Sequence, residues 1–212
     1  VTGAALTKSG TGTLVITKSS PISGALTISA GTVILKGDGA LPTVASITVA
    51  GGATLVIDDS AGLTSTASGR ISNTAAITLN GGNLVHIGGA SASAELLGSL
   101  ALGVDGSGSV TSSITQVAGS QPTSLAFASL SRTSPALLSI NSFGQDLGTT
   151  GNNRLYFAAA PALSGLGDNG ILPYAVLTKP GDVDFATYSD LLGVTKAVTS
   201  ENTFLFGANV KI

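Results

Sequence analysis

The chain has 212 residues, enough for one large domain with a continuous core or for two small ones, and its formal net charge is −2. Apolar residues make up 43% and charged residues only 9%, so composition excludes disorder, and nine scattered Lys and Arg with no Trp exclude a basic or base-stacking nucleic-acid surface. Cysteine is absent, which excludes disulfides and thiolate metal sites and, with the low charge and the abundance of Ser, Thr and Gly, leans towards a secreted or surface protein.

Good helix formers are scarce, Met is absent, and 29 Gly recur between apolar runs, so the chain reads as all-β. It starts at Val1 with no basic segment ahead of an apolar one, so a signal peptide is expected to be removed or to lie outside this sequence. No run of 18 apolar residues is present, and no transmembrane helix is expected.

One phrase returns along the first half. "LTKSGTGTLVI" starts at Leu6, "LTISAGTVIL" at Leu26, "ITVAGGATLVI" at Ile47 and "ITLNGGNLVHI" at Ile77. "LALGVDGSGSV" at Leu100 is the loosest copy. The starts lie 20, 21, 30 and 23 residues apart. Each copy reads as a strand, a glycine corner and a second strand. Side chains alternate along a strand, so Leu26 and Ile28 share one face, as do Leu55 and Ile57. Gly31, Gly51, Gly52, Gly81 and Gly82 mark the corners. A unit this short cannot bury its own apolar face, whereas stacked copies can, each strand pairing with its counterpart about 4.8 Å along the axis. The pattern therefore predicts a β-solenoid. The 30-residue interval places a longer loop at 59–74. The rival is a sandwich or antiparallel barrel, which needs neither the returning phrase nor its constant phase.

Beyond about residue 120 the phrase degrades. Strands are expected in "SLAFASLSR" (124–132), "LLSINSF" (137–143), "RLYFAA" (154–159), "YAVLT" (174–178) and "TFLFGANVKI" (203–212). "DFATYSDLLGVTKAV" (184–198) fits a short helical turn between strands. All nine aromatic residues lie in this half. The expected organisation is regular solenoid repeats over 1–120, continued over 121–212 with longer loops and a more aromatic core.

"LTKSGTGTLVIT" followed by "ALTISAGTVIL" resembles the passenger-associated, or autotransporter-associated, β-strand repeat, through Lys8, Gly10, Gly12, Thr13 and Leu14 and then Gly31, Thr32, Val33 and Leu35. Later stretches (Asn73 to Gly82, Leu125 to Arg132, Gly170 to Ala175, Asp184 to Tyr188) are similar to long repeat-bearing surface proteins of environmental bacteria. The resemblance implies a right-handed parallel β-helix, secreted or displayed on the cell surface, in a stalk or adhesin-like role. It supplies no catalytic residues.

Chemistry is sparse. His86 is the one histidine, and its alternation with Val85 and Ile87 is expected to turn it to solvent. A lone His makes neither a zinc site nor an evident Ser-His-Asp arrangement. Asp58 and Asp59 end a strand and read as turn residues. Asp182 and Asp184 follow Pro180-Gly181 and are the candidate pair for calcium, although "GDVDFATY" is not an EF-hand loop. "GVDGSGSV" (103–110) is a single degraded copy of a calcium-binding nonapeptide that works in tandem. No catalytic, cofactor-binding or metal-ligating residue is assigned, and no enzyme activity or cofactor is expected.

Neither end of the sequence shows a polar capping element, so end-to-end self-association through uncapped solenoid ends is expected. The leading function is structural: an extracellular shaft or filament-forming subunit of the bacterial surface with an adhesion role. The alternatives are a carbohydrate-binding or polysaccharide-degrading β-helix, which would align aromatics and acids across coils, and a phage fibre segment.

Overall fold

In the computed structural model, residues 4–61, 69–106, 108–148, 153–164 and 170–197 are described. The expected last strand (203–212), most of the expected loop (62–68) and Ser107 of "GVDGSGSV" lie outside them.

The repeated phrase becomes two strands of a coil. The first strands are β1 (Leu6–Lys8), β3 (Ala25–Ile28), β5 (Ser46–Ala50), β7 (Ala76–Asn80), β10 (Leu100–Leu102) and β13 (Leu130–Arg132). They form one parallel sheet in that order. Leu6 lies opposite Leu26, Leu26 opposite Ile47, Ile47 opposite Ile77 and Ile77 opposite Leu100. These are the residues on which the five phrases align. Leu130 continues the ladder opposite Leu100, so the copies number six; the sixth is the end of "SLAFASLSR", which holds two strands and not one.

The second strands are β2 (Thr13–Ile16), β4 (Thr32–Lys36), β6 (Thr54–Asp58), β8 (Asn83–Ile87), β11 (Thr111–Val117) and β14 (Leu137–Phe143), joined by β16 (Ala175–Lys179). They stack in parallel as a second sheet. A third sheet starts only in the fourth coil, from β9 (Ser93–Leu97), β12 (Thr123–Phe127) and β15 (Asn153–Phe157). The fold is a parallel β-helix, and the sandwich and barrel are not formed.

The inward columns are aliphatic for most of the stack. Leu26, Ile28, Val33, Leu35, Ile47, Leu55, Ile57, Ile77 and Leu84 are all fully buried, and a side chain of this kind contributes roughly 1.5–3 kcal/mol on burial. Phe127 and Phe157 continue one inward column in register, with ring centres 5.8 Å apart. Outward columns repeat neutral residues: Thr7, Thr27, Thr48 and Thr78 on the first sheet, and Thr13, Thr32, Thr54, Asn83, Ser113 and Ser139 on the second. Identical charges at one position would face each other at about 4.8 Å, so a repeating column favours hydroxyls and amides. Asn83 and Ser113 bond along the column at 2.7 Å.

Two features tighten the first coils. Gly31 has φ +72°, and a Cβ there would collide with the carbonyls of Gly10 and Gly12. The Lys8 ammonium folds over the same corner and donates to the carbonyls of Ser9, Gly10 and Ala30 at 2.6–3.1 Å, tying the first coil to the second.

The far side differs from expectation. β17 (Asp182–Ser189) joins β16 antiparallel and β18 (Gly193–Lys196) joins β17 antiparallel. "DFATYSDLLGVTKAV" is thus a β-hairpin and not a helical turn. Its short apolar run fits either form, and Gly193 at φ +78° supplies the conformation the hairpin turn needs. Tyr188 reaches back, donating its hydroxyl to the Phe157 carbonyl at 2.5 Å and accepting from the Phe157 N–H at 3.1 Å. Among the described residues, the parallel stacking of the second sheet therefore gives way to an antiparallel pair of strands, while the first and third sheets end on β13 and β15. The opposite side presents β1 and β2 as the last strands of their sheets.

Candidate functional site

The titratable residues of the sequence reading fall into two groups, one inside the coil and one at the hairpin. The inner group begins with parity. On β8 the inward residues are Leu84 and His86, and the outward ones are Val85 and Ile87. His86 is fully buried, which corrects its expected place on the surface. Parity is set by the stack: Ile57 of the coil before lies opposite His86 and points inward too. A polar side chain is tolerated there because partners meet it. His86 Nε2 lies 2.9 Å from Ser93 Oγ and 3.2 Å from Asp59 Oδ2. The Ser93 hydroxyl also donates to Asp59 Oδ2 in a very short bond.

Asp58 and Asp59 part company. Asp58 is a turn residue as expected, its Oδ1 accepting from the N–H and hydroxyl of Ser60 at 3.0 and 2.6 Å. Asp59 is buried, with the Arg70 guanidinium against it at 2.5 Å. Arg70 spends its other donors on the carbonyls of Gly37, Gly39 and Asp58, at 2.6–2.9 Å. Burial pushes the Asp59 carboxyl up, but the bonds from His86, Ser93 and Arg70 outweigh it and hold the group below its ordinary value.

Glu95 completes the cluster from β9. Its two oxygens accept from the backbone N–H groups of Arg70 and Ile71 at 2.7 and 2.9 Å. Burial dominates over those bonds and raises the carboxyl to about 8. Gly69, at φ +100°, is required beneath it, since a Cβ would collide with the carboxylate. The cluster thus ties the long connection of the third coil to the strand of the fourth. Arg70, Ser93 and Glu95 were not singled out in the sequence. The available signal was the inward parity of His86, which an alignment on Ile57 exposes.

Asp59, His86 and Ser93 are the residue types of a hydrolase triad, but the geometry is different. A triad uses both ring nitrogens, one for the serine and one for the carboxylate. Here both partners meet Nε2, the serine hydroxyl bonds to the carboxylate directly, and Nδ1 has no partner. All three side chains are buried. The arrangement crosslinks the coil and offers no nucleophile to a substrate.

At the hairpin, Asp182 and Asp184 come together, and a lysine answers them. Lys196 Nζ lies 2.8 Å from Asp182 and 3.2 Å from Asp184. Lys179 pairs with Asp146 at 2.7 Å beside them. These pairs rim a cavity of about 220 Å³ floored by Leu147, Leu177 and Leu192. Among the described residues no group of three or more His, Asp or Glu side chains is placed to hold a metal ion.

Residues 6–35 match the family model described as passenger-associated-transport-repeat, a repeat typical of autotransporter passengers. The matched segment takes in the first two copies of the phrase, with Lys8, Gly12 and Gly31, whose contacts build the first corner. No curated protein and no solved structure matches the chain.

Proposed function

We propose that this chain is a structural β-solenoid segment, a shaft unit of an extracellular, surface-displayed bacterial protein, and that it is not an enzyme. One observation carries the reading: six copies of one phrase stack in a single unbroken register, from Leu6 to Leu130. A stack of this kind is a rigid rod whose length scales with copy number. The repeat matched at residues 6–35 supports display on or release from a cell surface. The buried crosslinking of Asp59, His86 and Ser93 supports a non-catalytic role.

The carbohydrate-active alternative would present aligned aromatics outward. The aligned pair here, Phe127 and Phe157, faces the core. We infer further that the unit self-associates, with adhesion as its use, through β13, which stands at the edge of its sheet among the described residues. An edge strand offers its backbone groups to a strand of another chain.

Sedimentation across a concentration range, followed by electron microscopy, tests both parts. Rods that pair at high concentration, with binding and cleavage absent across a polysaccharide panel, are the expected result. Saturable binding to a polysaccharide or its cleavage sinks the structural reading; a strictly monomeric rod sinks only the pairing.

A further inference from the structure

Three successive coils stack a polar pair at the same inner corner, where the second sheet hands over to the third. On the second sheet the column is His86, Gln116 and Ser142, in register. On the third it is Ser93, Thr123 and Asn153, also in register. All six side chains are buried. In the fourth coil the corner closes directly, His86 to Ser93 at 2.9 Å. In the sixth it closes again, Asn153 Nδ2 donating to Ser142 Oγ at 3.2 Å.

The fifth coil between them does not close. Gln116 is 1% exposed, and neither its Nε2 nor its Oε1 has a partner. Thr123 Oγ1 turns instead to its own loop, donating to the Gln121 carbonyl at 3.3 Å and accepting from the Gly119 N–H at 3.5 Å. His86 Nδ1 and Asn153 Oδ1, in the coils on either side, lack partners too. Four unpartnered polar atoms thus fall on one short seam of the interior.

An amide carries two donors and an acceptor, and interiors rarely leave such a group unmet. A buried water enters where the walls are polar and supply two or more partners, whereas an apolar void stays dry. We propose that the fifth-coil corner is an internal hydration site, in which ordered water held by the Gln116 amide completes the polar seam between the His86–Ser93 and Ser142–Asn153 pairs. The water is a built-in part of the coil, standing where the two neighbouring coils use a direct side-chain bond.

A high-resolution crystal structure of the whole chain, with Gln116→Leu beside it, tests this. Ordered solvent density is expected within about 2.7–3.2 Å of the Gln116 amide, absent from the variant. In solution, oxygen-17 relaxation dispersion should count fewer long-lived internal waters in Gln116→Leu than in the parent, with a melting temperature unchanged or higher. A Gln116 amide bonded directly to protein groups with no solvent beside it overturns the proposal. So does an equal count of internal waters in the two proteins. Because the parent crystal decides the first point alone, a variant that fails to fold leaves the proposal open to refutation.

Discussion

The first three coils and the next three use the same positions for opposite chemistry. One inward column of the second sheet reads Ile16, Leu35 and Ile57, then His86, Gln116 and Ser142, in continuous register. The change comes where β9 opens the third sheet. In the aliphatic half this column is held by burial alone, which asks only for shape. In the polar half the third sheet brings Ser93, Thr123 and Asn153 opposite the column, and burial is supplemented by directional bonds. The comparison teaches that in a stack the register fixes which way a residue points, and the wall opposite decides which chemistry survives there.

The junction between the halves is the place to break this contrast hardest. Arg70→Ala leaves Asp59 buried without its cation and three carbonyls without their donor. Removing one partner of a buried ion pair costs about 3–5 kcal/mol. At roughly 2–4 °C per kcal/mol for a chain of this size, the melting temperature should fall by at least about 6 °C. A thermal melt followed by circular dichroism measures it, and a drop of only a degree or two would mean that the cluster is ornamental.

Exchanging chemistry within the column comes next. Ile57→Gln puts an amide where the neighbours along the column are Leu35 and His86 and the opposite wall has no third-sheet strand. The lost apolar contact and the unmet amide together cost about 2–4 kcal/mol. If Ile57→Gln were as stable as the parent, the two halves would not differ in what they tolerate.

How much of this was open to sequence reading follows from the same contrast. The ladder Leu6, Leu26, Ile47, Ile77, Leu100 was legible because alternation and a glycine corner fix the phase of each copy locally. Leu130 is not legible as a copy because its strand is three residues long and lies within a run that reads as one strand. His86 reads as outward in sequence because hydropathy pulls its neighbours Val85 and Ile87 inward, although both point out. Arg70 and Glu95 are joined across 25 positions of sequence, and only the stacking of the third and fourth coils brings them together. The hairpin at Asp184 to Lys196 reads in sequence as a helical turn between strands, because a short apolar run carries no period long enough to choose.

A pH titration sharpens the junction without altering its packing. Glu95 is raised to about 8 from its ordinary 4.5 by burial, so the folded state prefers the protonated acid. Its contribution is full below 4.5 and is lost as pH climbs through about 8. Asp59 is lowered, so its contribution is present above 3.8 and is lost as pH falls below that value. Stability should therefore peak in mild acid and decline through neutrality. Glu95→Gln should flatten the decline between pH 5 and 8, whatever it does to the absolute melting temperature. An unchanged slope in that variant would show that the decline belongs to other groups.

The smallest effect is expected at the hairpin, and it is the control on the whole comparison. Lys179 and Asp146 form a pair nearly as short as the buried Arg70–Asp59 pair, 2.7 Å against 2.5 Å. Their side chains are 33% and 47% exposed, against 2% for both Arg70 and Asp59. Water competes for both charges at the hairpin, and holding a long lysine in one geometry costs entropy. Such pairs contribute about 0–1 kcal/mol, and less in salt. Lys179→Ala should then move the melting temperature by no more than about 4 °C, and raising the salt should shrink even that. If it destabilised the chain as much as Arg70→Ala does, distance alone would govern these ion pairs. The distinction between a crosslinked interior and a solvated rim would then fail.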